Sequence, residues 1–361
     1  MSLIVGDSPL TFESYWFYKN TVELRFNDVE HIYYRVEENG QLTPQDGVTT
    51  IIKCYDKSEM LVPWGCKVMG EKLLANVPTY EMADGRVMVS RMPYDKFFAL
   101  LMDAKSAHRD RLEEAANIGK DAHGWLEQFI KHEMGRIQIL PPAPTEESAL
   151  TCCKGSLGWM DAHNVRWLQT ERKVYSLKYG YAGTMDGLCI CDSCDDPFCC
   201  PTPFKDELGL VDWKSSNFLY PTYCLQTASY VHASHEEFPE ARIRHRWIVK
   251  MAKDPDAPKL FETWHLYEFD QDRDFDAFLV CLDLTRSMKD IKLRISEVAA
   301  LAKEHAKAEA RADRKVEKLK KCNKADKYQG VRGGIPKCVD GEPCETCLAK
   351  YRSNHEHKIE L

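Results

Sequence analysis

Leu210-Val211-Asp212-Trp213-Lys214, read together with Tyr181-Ala182-Gly183-Thr184-Met185-Asp186 upstream, is the stretch that decides the fold. The alternation around Asp212 predicts a strand with Asp212 and Lys214 on the same side, facing one space. A carboxylate there suits a hard cation, which takes one or two protein carboxylates and keeps several waters. An ammonium beside it can orient or deprotonate an attacking water, or stabilise charge developing on a phosphate. An isolated Asp-x-Lys is commonly an ordinary surface pair. Gly183-Thr184-x-Asp186 before it, and Gln226 and Tyr230 after it, four apart as on one helix face, turn the reading toward a site.

Outward from this stretch, patterning predicts strands around 165–178, 181–191 and 208–214, a helix over 219–235, and strands over 242–250 and 261–269. Val22, Leu24 and Phe26 alternate ahead of the turn Glu38-Asn39-Gly40, and Gly47-Val48-Thr49-Thr50-Ile51-Ile52 suits either a strand or a helix start. Pro63 is expected to open a helix reaching about Ala75. A long helix over 94–133 carries an apolar stripe through Phe97, Phe98, Leu101, Met102, Leu112 and Ile118. Pro141-Pro142-Ala143-Pro144 breaks the chain before a helix start at Thr145-Glu146-Glu147-Ser148. A last helix, from about Asp274 to Lys321, is amphipathic in its first half and mostly charge and alanine in its second. The segments expected are a lead-in over 1–92, a core over 93–272 with a Cys-rich insert at 189–200, a long helix over 273–321 and a Cys-rich tail over 322–361.

With 361 residues, 44% hydrophobic, the chain can bury a core of one elaborated domain or two. Its first residues show no basic region followed by an apolar run, and no stretch of about 18 apolar residues occurs, so neither a signal peptide nor a membrane span is expected. Fifteen cysteines under these conditions point to an intracellular, cytoplasmic protein and to metal binding rather than disulfides. Charge is uneven. Between Lys303 and Lys337 twelve Lys/Arg face five Asp/Glu, a net of +7, so the rest of a chain of net charge −7 carries −14. A basic segment on an acidic body suits nucleic acid, and a solvated helix of mixed charge is the other reading of the same count. Lys315, Lys318, Lys320 and Lys321 are the candidate phosphate contacts.

Gly119, His123 and Glu127 recur every four residues, placing an imidazole and a carboxylate on one helix face able to enter the same metal site, with Gly119 permitting close approach. The order Gly119-x3-His123-x3-Glu127, Gly183-Thr184-x-Asp186, Asp212-x-Lys214, Gln226-x3-Tyr230 resembles the PD-(D/E)XK nuclease superfamily, in its RecB-like and phage exonuclease branch. His31-x-Tyr33, Gly47-Val48-Thr49-Thr50-Ile51 and Pro63-Trp64 are similar to the lead-in of phage members, and the likeness spans roughly residues 25 to 270. It implies an α/β (α+β), restriction-endonuclease-like core with a central mixed sheet flanked by helices. It also implies Asp186, Asp212 and the Trp213 carbonyl as ligands of Mg²⁺ or Mn²⁺, His123 as an added ligand, Lys214 as the catalytic lysine, and Gln226 and Tyr230 lining the site. Glu127 and Glu171 are further candidates for a second metal or for holding the ligands in place. The implied activity is metal-assisted hydrolysis of DNA, as an exonuclease in recombination, replication or repair, with a recombination partner or a second copy as possible company. The alternative is a DNA-binding scaffold that keeps this fold without cleaving. One departure stands out: Asp186 and Asp212 are 26 positions apart, where the family usually has a short hairpin.

The insert that fills this interval holds Cys191-x2-Cys194 with Cys199 and Cys200, enough thiolates for one tetrahedral zinc, although adjacent cysteines rarely share an ion and Cys189 is near. Reduced structural thiols are the other reading. In the tail, Cys322, Cys338 and Cys344-x2-Cys347 form a second set in a segment with little apolar surface, where structural zinc contributes about 10–16 kcal/mol. An iron–sulfur cluster built from Cys54 or Cys66 with Cys338, Cys344 and Cys347 is the alternative. A zinc tail predicts a colourless protein, and visible charge-transfer absorption in anaerobically purified material would replace zinc by iron–sulfur there.

Overall fold

A computed structural model describes residues 12–55, 58–192, 194, 199–200 and 204–323, with the backbone alone for 315–323. The fold is α/β: one large mixed sheet flanked by helices. Strands β1 (Phe12–Phe17), β2 (Val22–Asn27), β3 (Ile32–Val36) and β4 (Leu42–Gly47) form an antiparallel meander. Helix α1 (Val48–Ile51) follows directly, so the ambiguous Gly47–Ile52 segment opens a helix. Helix α2 (Ser58–Asn76) begins before Pro63, which lies inside it rather than at its start. A small hairpin, β5 (Thr79–Glu81) and β6 (Val87–Val89), leads to the 40-residue α3 (Tyr94–Glu133).

Helix α4 (Glu147–Ala162) starts where the sequence placed a boundary, because the Glu146 carboxylate accepts from the Ser148 and Ala149 amides that the first turn leaves unpaired. Then come β7 (Val165–Ser176), β8 (Tyr181–Cys191), β9 (Glu207–Lys214), α5 (Thr222–Glu237), β10 (His245–Met251), β11 (Phe261–Tyr267) and α6 (Gln271–Asn323). The sheet order is β1-β2-β3-β4-β8-β9-β10-β11, with β7 also on β8. Strands β9 and β10 are parallel, joined through α5. Since β4 pairs with β8, the expected lead-in and core segments share one sheet.

Two cores sandwich the sheet. On one face α5 and the start of α6 bury Tyr181, Met185, Leu210, Tyr230, Phe275 and Phe278. On the other, α3 and α4 bury Leu126, Ile130, Trp159, Val211, Trp213 and Trp247. The apolar stripe predicted for the first half of α3 is largely exposed at Phe97, Phe98, Met102 and Leu112. Burial on that helix instead follows the small residues Ala104, Ala107, Gly119 and Ala122, joined by Leu126 and Ile130 toward its end. A second compact unit begins at Arg286. Its helical stripe Met288, Ile291, Ile295 and Val298 is exposed.

Close packing fixes β9 against β10. A Cβ at Gly209 would fall 1.9 Å from the ring of buried Trp247. Gly209→Ala should therefore destabilise the protein by about 1–3 kcal/mol, as overpacked cores do. A urea midpoint equal to the parent's would refute this packing.

Candidate active site

The topology forks at the motif read first. Strand β7 runs along one edge of β8 for its full length. The other edge meets β4 at Tyr181 and Ala182, and β9 only from Gly187 to Cys191. Gly183-Thr184-Met185-Asp186 lies in the gap, where neither strand pairs with it. Beyond Val211, β9 stays paired with β10 as far as Lys214. Its side toward β8 is open, and the Trp213 amide, with no strand to bond, donates to Asp186 Oδ2 at 2.9 Å.

Asp212 and Lys214 share a face of β9, as the alternation predicts, and Lys214 Nζ lies 2.6 Å from Asp212 Oδ2. That ammonium also sits 4.7 Å from the centre of the Tyr223 ring on α5. Asp212 is 1% exposed, and its carboxylate is paired with the Lys214 ammonium. A carboxylate buried this deeply is costly unless a cation pairs with it, as Lys214 does here. Burial, and then Asp186, push its carboxyl up to about 6 against the pull of Lys214. Burial raises Asp186 as well, opposed by Lys214 and the Trp213 amide. Lys214 is held above its ordinary range: burial opposes its charge, but Asp212 and Asp186 together outweigh burial.

From α3, His123 reaches the same space, with Nδ1 3.7 Å from Asp186 Oδ2. Burial, then Lys214, press this imidazole down to about 4, leaving it neutral and able to act as a ligand. Gly119 has the role its spacing suggested: a Cβ there would stand 2.6 Å from Ser215 Oγ, so α3 crosses directly over the end of β9. Glu127, one turn beyond His123, is engaged by Lys131 at 2.5 Å.

Glu171 lies opposite Asp186 in the β7–β8 register, between the pairs Thr170–Gly187 and Arg172–Met185. It adopts φ +50°, a left-handed conformation uncommon for a residue with a side chain. Thr170 Oγ1 bonds the Asp186 carbonyl at 2.9 Å across this irregularity. Burial, then Asp186, push the Glu171 carboxyl up to about 8. Local backbone strain of this kind costs on the order of 1–3 kcal/mol and clusters at functional sites.

Gln226 and Tyr230 bond each other, Nε2 to the hydroxyl at 2.9 Å, and both are buried. Tyr230 packs under the motif so closely that a Cβ at Gly183 would meet its ring at 2.4 Å. Val48 touches the same glycine, and the Tyr33 hydroxyl bonds Thr184 Oγ1 at 2.6 Å. The lead-in residues Tyr33 and Val48 thus brace the strand that carries Asp186.

Among the described residues, one set of at least three potential ligand atoms lies mutually within 4.8 Å, and it is not the acidic cluster. It joins Cys194, Cys199 and Cys200 to His163 and can hold a metal ion. The expected set is corrected in two ways. Cys191 is not a member: β8 runs regularly through it, so it shares the face of Cys189, and the two buried thiols lie 3.7 Å apart. His163 takes its place, and adjacent Cys199 and Cys200 both belong. The register carried the missed signal, since Val165 pairs with Cys191 and brings the residues just before β7 beside the insert. In the second set, Cys338, Cys344 and Cys347 lie outside the described residues, as do the side chains of Cys322, Lys315, Lys318, Lys320 and Lys321.

Neither a protein-family model nor a curated protein matches the chain. No described helix is long and apolar enough to cross a membrane.

Asp186, Asp212 and His123 do not meet the mutual spacing of the cysteine–histidine set, but they are oxygen and nitrogen donors of the kind hard divalent cations take. Mg²⁺ or Mn²⁺ at a hundred times its dissociation constant should then add about 2.7 kcal/mol of stability. Melting with and without the ion should show the gain in the parent and lose it in Asp212→Asn. An equal shift in both would remove Asp212 from the site.

Proposed function

We propose that the chain is a metal-dependent deoxyribonuclease, acting on DNA ends or single strands as an exonuclease. The observation that carries this reading is the cluster itself: the buried Asp212 carboxylate paired with Lys214 at 2.6 Å, with Asp186 and His123 close by. Strands β8 and β9 bring an acid, an acid and a lysine together, the arrangement that the resemblance to PD-(D/E)XK nucleases implies. The restriction-endonuclease-like reading of the core belongs to the same proposal and is supported by the mixed sheet and by the fork at Gly183–Asp186.

Asp186, Asp212 and His123 would hold Mg²⁺ or Mn²⁺, together with the Trp213 carbonyl. Bound there, such an ion activates water and offsets charge on the phosphate. Lys214, held charged by the two acids, presents its ammonium toward the attacking water and the phosphoryl oxygens. The Tyr223 ring limits where that ammonium can point. Glu171, with its proton retained by burial beside Asp186, braces the first acid, or gives up that proton to join a second ion. His163 and its thiolates suit a softer ion and enter no step of this reaction. Exposed basic residues of α6, among them Lys303, Lys307, Arg311 and Arg314, supply positive charge for a phosphate backbone, and Lys315, Lys318, Lys320 and Lys321 continue that run in sequence.

The test compares degradation of linear, end-blocked and circular DNA, single- and double-stranded, with Mg²⁺ and Mn²⁺. Asp212→Ala should abolish cleavage, and Lys214→Ala should lower it by roughly 10²–10⁴-fold, with folding intact by circular dichroism. Cleavage of closed circles would defeat the exonuclease assignment. Parental activity in either variant would defeat the proposed site.

A further inference from the structure

We infer that the hairpin between β8 and β9 carries a structural zinc ion held by His163, Cys194, Cys199 and Cys200, separate from the acidic site and independent of the nuclease reading. The distances match one ion. Tetrahedral zinc, with bonds of about 2.3 Å to sulfur and about 2.05 Å to nitrogen, sets its ligands about 3.8 Å apart between sulfurs and about 3.6 Å apart between sulfur and nitrogen. Cys199 and Cys200 sulfurs are 3.9 Å apart. His163 Nε2 lies 3.5 Å from Cys199 Sγ and 3.2 Å from Cys200 Sγ. Cys194 Sγ is within 4.8 Å of all three.

The imidazole is prepared for this. Its Nδ1 is 2.8 Å from the Trp159 carbonyl oxygen, an acceptor only, so Nδ1 carries the proton and Nε2 presents its lone pair to the sulfurs. The ring is stacked on Trp159, with centroids 4.2 Å apart, which fixes its plane. Three thiolates and an imidazole favour zinc over magnesium or calcium. Four protein ligands fill a tetrahedron and leave no open position, which makes the ion structural rather than catalytic.

Its place in the fold explains what it does. His163 caps the end of α4, while Cys199 and Cys200 belong to the hairpin that joins the strands of Asp186 and Asp212. One ion therefore fastens that hairpin to α4. The tie is continuous with the site, because Trp159 packs edge-on against Trp213 at 5.5 Å, and the Trp213 amide holds Asp186.

The test uses the full chain with Cys322, Cys338, Cys344 and Cys347 replaced by serine, so that any zinc counted comes from this hairpin. Elemental analysis should find one zinc per chain, and X-ray absorption at the zinc edge should show three sulfurs and one nitrogen. No zinc, or four sulfurs, would overturn the assignment. In the parent chain Cys191→Ser should leave the zinc content unchanged, whereas His163→Ala and Cys199→Ser should each lower it by one equivalent. Loss in Cys191→Ser with retention in His163→Ala would likewise overturn it. DNA cleavage is read separately, so a catalytically inert protein that binds this zinc would sink the nuclease proposal alone.

Discussion

The bond from the Trp213 amide to the Asp186 carboxylate stands where the sheet stops being a sheet. A backbone N–H in the middle of a strand must find an acceptor, because leaving it unpaired in a buried place costs on the order of 1–3 kcal/mol. Here β8 and β9 part after Gly187 and Val211, and the acceptor is a side chain instead of a strand. That substitution fixes one acid and leaves Asp212 and Lys214 on the strand beside it. The whole candidate site is built on that separation.

Much of the surrounding packing serves to keep the fork open. Gly183 admits the Tyr230 ring and Gly187 the Trp167 ring, positions where a Cβ would come within 2.4 and 2.5 Å. Gly119 lets α3 lie over Ser215, carrying His123 to Asp186. The strain is electrostatic as well as steric. Burial raises Asp186, Asp212 and Glu171 together, so the three acids resist carrying charge side by side, and Lys214 is what favours the ionised forms of Asp186 and Asp212.

Several of these elements were legible in the sequence. The alternation of β9, the helix over 94–133 and the cap before α4 follow from local rules, and the structure reproduces them within a few residues. Other features were not legible. The stripe on α3 is partly exposed, because periodicity shows which face is apolar and not whether a neighbour covers it. Pro63 marked the wrong turn of α2. Cys191 was grouped with Cys194 by spacing, while strand geometry turned it toward Cys189.

By itself, then, the sequence determined the strand bearing Asp212 and Lys214, the helix faces bearing His123 and the Gln226–Tyr230 pair, and a cysteine cluster between the two acids. Each depends on residues within about one turn or one strand of each other, where period and spacing dictate geometry. The tertiary structure decided that Asp186 takes a backbone amide, that Glu171 stands opposite it in a left-handed conformation, and that His163 joins Cys194, Cys199 and Cys200. Those arrangements arise from pairing between strands distant in the chain, and no local pattern records which residues a register brings face to face.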